Sequence, residues 1–418
     1  MSIHTESTRG GYDKVPAPHS TAAIPTLPPG VALLFSVACG LAVANVYYAQ
    51  PLLDIMADEF GIDHARAGII MTCTQIGYGI GLLFVVPLGD LVDRRRLVAG
   101  QSLLSAIALV TVASAPTGTI LLAALAAVGV LAVVAQILVA YAAILAHPSE
   151  RGRIVGVVTS GIVVGILLAR TAAGILEDLL GWRAVYLASA LATLLISCLL
   201  FTTLPRQSMP SARVSYFRLI TSVFTLFVQE PVLRIRAALG LLIFAAVTVL
   251  FTPMVLPLAA PPFSLSHTEI GLFGLAGAAG ALGASRAGRL ADRGHAQRTT
   301  CIGLMLMLIA WLPIALLPYS LWSLVVGVIM IDFGLQSVHV SNQSLIYRIR
   351  PEAQSRLAAG YMLFYSIGSA AGSAVSTFIY AQAGWAGVAL TGALISALAL
   401  VFWLLTRQLT PADVIAPD

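Results

Sequence analysis

Twelve apolar runs, each long enough to cross a lipid bilayer as a helix, take up most of this sequence. They cover 31–54, 67–92, 97–115, 119–146, 154–176, 184–204, 237–259, 269–288, 299–317, 321–347, 357–380 and 385–406. A spanning helix needs about 20 mostly apolar residues, because the hydrocarbon core is about 30 Å thick. Lipid cannot satisfy open backbone groups, so such runs specify helices. Of 418 residues, 59% are hydrophobic and 10% charged. A water-soluble domain carries roughly a quarter charged residues. The expected class is therefore an all-α polytopic membrane protein with twelve transmembrane helices.

The runs divide the chain. Residues 1–30 read as a disordered, Pro-rich cytoplasmic tail rather than a signal peptide. Residues 31–204 read as an N-terminal six-helix bundle and 237–407 as a C-terminal one. The 205–236 segment is a cytoplasmic linker, either plain or an amphipathic helix on the membrane surface. Residues 408–418 form a second cytoplasmic tail.

Charge sets the orientation. With the N-terminus inside, the outer loops hold only Arg66 and Arg183, and Arg170 lies within span five. Every other Arg, with Lys14, falls inside, which places both termini in the cytoplasm. The net charge of +5 does not imply nucleic acid, because the Arg residues form no basic stripe with interleaved aromatics. Cys39, Cys73, Cys198 and Cys301 lie in apolar runs without ligand spacing and read as small buried hydrophobes. No metal or cofactor is expected.

The chain also repeats itself. Gly68 and Gly271, Pro148 and Pro351, Gly165 and Gly368, and Gly181-Trp182 and Gly384-Trp385 are each 203 residues apart. Two six-helix halves in parallel are a transporter pattern, with the site between them near the midplane.

Gly89-Asp90-Leu91-Val92-Asp93-Arg94 follows span two, and Gly288-Arg289-Leu290-Ala291-Asp292-Arg293 follows span eight. Together with the repeat, these resemble the G-x-L-x-D-R loops of the major facilitator superfamily, once per half. The family's next Gly is replaced by Arg96 and His295. The resemblance implies the major facilitator fold and an inner gate. Asp93 would meet the start of span eleven, and Asp292 the start of span five. Arg94, Arg293, Gly89 and Gly288 belong to the same loops, and the glycines would permit close approach or a tight turn. A carboxylate at a helix N-terminus contributes about 0.3–1 kcal/mol when exposed. The alternative is that these residues only mark topology.

Span five resembles the family's antiporter motif, with Gly156, Gly165, Ala169, Ala173 and Gly174 at its small positions and Arg170 where the motif has Pro. A cation inside the membrane costs at least ~2.5–3.5 kcal/mol unless wet or paired. Arg170 is thus a functional candidate; the alternative is a helix-end Arg that snorkels. In span ten, Asp332, Gln336, His339 and Gln343 fall on one face about 60° wide. Asp332 and His339 are rival proton carriers, and a hydrogen-bond network that only fixes packing is the alternative. Gln136, Asn45, Tyr48, Gln75 and Tyr78 outline a polar pocket in the other half. Arg170 and Asp332 each lie about eleven residues from the outer face, at equal depth.

The run Asn45-Val46-Tyr47-Tyr48-Ala49-Gln50-Pro51 resembles a drug/proton antiporter-like branch of the superfamily. The resemblance implies a monomeric carrier of a small molecule, driven by protons, exporting by alternating access across the bacterial inner membrane. Proton-coupled uptake is the alternative; a channel or receptor is more remote. An enzyme is not expected, since no catalytic cluster and no phosphate-binding loop of the G-x4-G-K-[ST] kind is present.

Overall fold

The computed structural model describes residues 29–147, 150–204, 215–350 and 353–410. The tail residues 1–28 and 411–418, Pro148, Pro351, and Arg206 and Arg213 of the linker lie outside the described residues. Every regular element among the described residues is a helix, and none is a strand. The N-terminal half contains α1 (Pro29–Tyr47), α2 (Leu53–Glu59), α3 (Ile69–Phe84), α4 (Arg94–Ala113), α5 (Gly118–Ala132), α6 (Val134–Leu145), α7 (Arg151–Leu180) and α8 (Trp182–Thr203). The linker carries α9 (Tyr216–Gln229). The C-terminal half contains α10 (Pro231–Phe251), α11 (Val255–Ala259), α12 (His267–Ala276), α13 (Ala278–Asp292), α14 (Ala296–Ala315), α15 (Leu321–Ile349) and α16 (Gln354–Thr406).

Ten helical segments are long and apolar enough to cross a membrane. One of them contains α16, whose 53 residues would reach well over twice the thickness of a bilayer core. Its backbone leaves the helix at Gly384, with φ 59°, so α16 crosses twice. The remaining crossing is α12 with α13, broken at Gly277 and made less apolar by Arg286 and Arg289. The total is twelve. Large apolar side chains such as Leu195, Leu312 and Leu405 stay exposed on the outside, a surface suited to lipid.

Two boundaries differ from the sequence reading. Span one ends at Tyr47, seven residues early, and the chain turns past Pro51 into the short α2. Span seven begins at Pro231, so Arg236 sits inside α10 and not in the linker. Arg236 is fully buried and donates to Asn342 Oδ1 at 3.5 Å and Thr410 Oγ1 at 3.1 Å. Of the cysteines only Cys39 is buried; Cys198 is exposed on α8.

The 203-residue repeat has physical content. Gly181 and Gly384 both take positive φ, 83° and 59°, a region that favours Gly. Each turns the chain into a helix that starts with Trp. The Trp182 indole donates to Glu59 and the Trp385 indole to the Ile314 carbonyl. Gly68 and Gly271 occupy matching places where the two halves touch. A Cβ on Gly68 would lie 2.0 Å from the Ser373 carbonyl oxygen, and one on Gly271 would lie 2.5 Å from that of Arg170.

These contacts close one face of the molecule, the face bearing Arg66 and Arg183. There α3 packs on α16 and α7 on α12. Hydrogen bonds tie the halves together: Thr72 Oγ1 to the Ala370 carbonyl at 3.2 Å and Thr171 Oγ1 to the Gly271 carbonyl at 2.9 Å. The arginine-rich face is different. A cavity of about 590 Å³ separates the halves there, lined by Gly89, Arg94 and Gln136 on one side and Tyr347, Gln354 and Met362 on the other.

Candidate functional site

The site is built around Arg170 of α7. Small residues bring this helix close to its neighbours: a Cβ on Gly165 would lie 2.2 Å from the Gly40 carbonyl oxygen of α1. Packed this way, Arg170 is 6% exposed. Its guanidinium lies 3.7 Å from the Phe251 ring centroid and 5.8 Å from that of Tyr47. Its Nε donates to Gln50 Oε1 at 2.8 Å. Desolvated cation–π contacts contribute about 2 kcal/mol, which offsets part of the cost of burying the charge.

Asp332 of α15 faces the same cavity, about 60 Å³ in volume, which Gln336, Tyr47, Gln50 and Phe244 also line. The break between α12 and α13 makes room for its carboxylate. A Cβ on Gly277 would come within 2.7 Å of Asp332 Oδ2. Arg170 and Asp332 thus share one level and each senses the other's charge, but they make no contact within 4.0 Å.

An aromatic layer separates this small cavity from the large one. Tyr47 and Tyr365 share a hydroxyl–hydroxyl bond of 2.5 Å across the two halves. Tyr78 and Phe244 pack edge-on against the Tyr365 ring, at 6.1 and 4.1 Å. Below the layer, Gln136 donates to Tyr78 Oη at 3.3 Å and lines the large cavity. His339 lies beside the layer, 5.2 Å from the Phe244 ring centroid, with Nδ1 2.9 Å from Tyr361 Oη. The span-ten stripe is therefore divided. Asp332 and Gln336 face the small cavity, His339 faces Phe244 and Tyr361, and Gln343 is half-buried further along α15.

Two expected pocket residues lie elsewhere. Asn45 accepts from Ser189 Oγ at 2.5 Å and borders a 20 Å³ void inside the N-terminal half. Tyr48 packs edge-on against Tyr186 at 6.3 Å. Both face α8, because the turn of α1 that points Tyr47 at the cavity points them away. Gln75 is fully buried, and its backbone carbonyl accepts from Ser366 Oγ of the other half.

The expected inner-gate residues stand at the open face. Asp93 caps its own helix, its Oδ1 accepting from the Arg95 N–H at 3.0 Å, with Arg96 Nε 3.9 Å from Oδ2. Arg94 lines the large cavity. Gly89 and Gly288 have ordinary space around them, 3.6 and 3.8 Å to the nearest neighbour of an added Cβ, so neither mediates close approach. The second loop turns at Gly294, whose φ is 79°, and Arg293 is exposed. The Asp292 side chain lies outside the described residues.

Sequence reasoning missed Tyr47, Gln50 and Phe244 as cavity residues, Phe251 as a partner of Arg170 and Tyr365 as a partner of Tyr47. For Gln50 the signal was present: an amide next to Pro51 at the end of a span is free to reach a buried charge. It also missed His267, which crosses the closed face. His267 Nε2 lies 3.2 Å from Asp54 and Nδ1 2.9 Å from Glu177. Asp178 accepts from the His267 and Thr268 backbone N–H groups at 3.2 and 2.8 Å, so the α12 N-terminus is capped from the other half.

Twelve spans in two repeated halves, closed at one face and open at the other around buried charges, define a polytopic membrane carrier. The chain belongs to the major facilitator superfamily, whose family model matches residues 34–356 and 238–417. It is 48% identical over 377 residues to the uncharacterized transporter YgaY of Escherichia coli O157:H7, covering 90% of this chain and 95% of that one. A transporter of Streptomyces coelicolor is 30% identical over 384 residues, covering 89% of each. A bacterial homolog of the human lysosomal transporter Spinster, solved inward-facing and unoccupied, has a TM-score of 0.72 at 14% identity, covering 93% and 98% of the two chains. The chain is a membrane transporter and not an enzyme.

Proposed function

We propose that this transporter exports a small organic compound across the bacterial cytoplasmic membrane in exchange for protons, by alternating access. The observation that carries the reading is the buried pair of opposite charges, Arg170 and Asp332, in one cavity beneath a closed face. The arginine-rich face is cytoplasmic by the positive-inside rule. The large cavity then opens inward, and the state is one that loads from the cytoplasm. Asp332 is the proton carrier that alternates between a proton and its other partners, and His339, bonded to Tyr361, is the rival. A proteoliposome assay under an imposed pH gradient tests the reading. Substrate is expected to move against the proton flow; accumulation along the proton flow would make the protein an uptake symporter.

In the outward-facing state Asp93 is proposed to leave its own cap and meet the start of α16, latching the inner face. Asp93→Asn keeps a good cap but removes the charge. It is expected to raise inner-face cysteine accessibility several-fold and lower turnover, the effect of losing about 1 kcal/mol. Unchanged accessibility and turnover would defeat the latch.

A further inference from the structure

Two buried charges face one space without meeting. Asp332 is 8% exposed, yet its carboxylate accepts no hydrogen bond from any described residue. An ionised carboxylate has about four acceptor sites. Arg170 has five N–H groups, and among the described residues only Nε is spent, on Gln50. Phe251 and Tyr47 fix the plane of the guanidinium, so its remaining edge cannot swing freely. Direct pairing would satisfy both residues, but they stand more than 4.0 Å apart. Buried charges held apart are costly, and something that bridges them recovers that cost.

The chemistry of the bridge follows from the two ends. The guanidinium fork takes a carboxylate in bidentate fashion. The carboxylate takes an ammonium. A lone cation would leave Arg170 unmatched, a lone anion would leave Asp332 unmatched, and a neutral compound would leave both. The cavity of about 60 Å³ is far below the volume of a drug-sized pocket, about 300–1,000 Å³. Val163, Leu167, Val247 and Leu335 add aliphatic surface to the wall, and Thr248, Gln336 and Ser369 add polar groups.

We propose that the cavity between Arg170 and Asp332 seats a compact zwitterion, an α-amino-acid-like ion with its carboxylate on Arg170 and its ammonium on Asp332. This assignment rests on reading the cavity as the transport site. It adds a coupling rule: the ammonium and a proton compete for the same carboxylate, so ligand binding expels the proton from Asp332.

Full-length protein in lipid nanodiscs provides the test. The probes are L-alanine and L-leucine, their methyl esters, which carry only the cation, and their N-acetyl derivatives, which carry only the anion. Calorimetric titration is expected to give at least about tenfold tighter binding for the zwitterions than for either analogue, because each analogue leaves a buried charge unpaired. Arg170→Gln should bring the zwitterion down to its ester, and Asp332→Asn down to its N-acetyl derivative, with folding followed by thermal unfolding. Esters that bind as tightly as the zwitterions, or zwitterions that do not bind the folded parent protein, would overturn the assignment. Flux under a pH gradient separates this from the broader reading. Leucine that binds but is not driven defeats proton-coupled export and leaves the zwitterion site standing. An ester that is driven while leucine neither binds nor competes does the reverse.

Discussion

Asp332→Asn is expected to abolish proton-driven transport, by at least a hundredfold, while substrate exchange across the membrane continues at raised substrate concentration. The reason is the separation of two tasks. Exchange needs only the rocking of the halves around a loaded site. Uphill movement needs a group that gains a proton on one side and loses it on the other. The substituted amide would keep the shape of the carboxylate and lose the titration. Removing Arg170 alone has a different cost. Arg170→Ala removes the one opposite charge that Asp332 senses and leaves it as an uncompensated buried charge, which is strongly unfavourable. Removing both charges is expected to restore part of the lost protein level and exchange. Flux of normal size and pH dependence in Asp332→Asn would move the proton to His339.

The fold was open to reading because lipid permits few solutions. Run length, Arg distribution and a 203-residue offset each reported a constraint that acts on single residues. Gly181 and Gly384 are legible because positive φ excludes most other residues. Arg170 and Asp332 are legible because a charge in a span needs a reason. Aromatic residues carry no such signal. Tyr365 bonds Tyr47 across the halves, yet in the sequence it is one aromatic in an apolar run. Helix phase decides the rest. Asn45, Tyr47 and Tyr48 are close in sequence, but only Tyr47 faces the cavity. The state of the molecule was equally hidden: Asp93 caps α4 here, and a latch residue cannot be read without knowing which face is open.

The closed face is expected to open as the pH on its side rises, because His267 holds it best when protonated. Both ring nitrogens lie against carboxylates, Nε2 on Asp54 and Nδ1 on Glu177. Only the imidazolium can donate from both. Burial pulls the His267 pKa down, but the hydrogen bond to Asp54 and the charges of Asp54, Glu177 and Asp178 outweigh it, so the pKa is raised above 6.5. Asp54 belongs to α2 and Glu177 and Asp178 to α7, while Glu269 on α12 itself is engaged with the Ser266 N–H at 2.8 Å. When the face opens, His267 loses these partners and returns towards the ordinary value. The closed state therefore gains its full advantage below about pH 6.5 and loses it as the pH climbs through the raised value. Each unit of separation between the two states is worth about 1.4 kcal/mol, a tenfold change in the closed-to-open ratio. Spin labels on Leu179→Cys and Leu272→Cys, at exposed positions on α7 and α12, would report the distance across this face. The open population is expected to grow several-fold between about pH 6 and pH 8, and His267→Gln to flatten that rise. If His267 did not govern the face, His267→Gln would leave the profile between pH 6 and pH 8 unchanged.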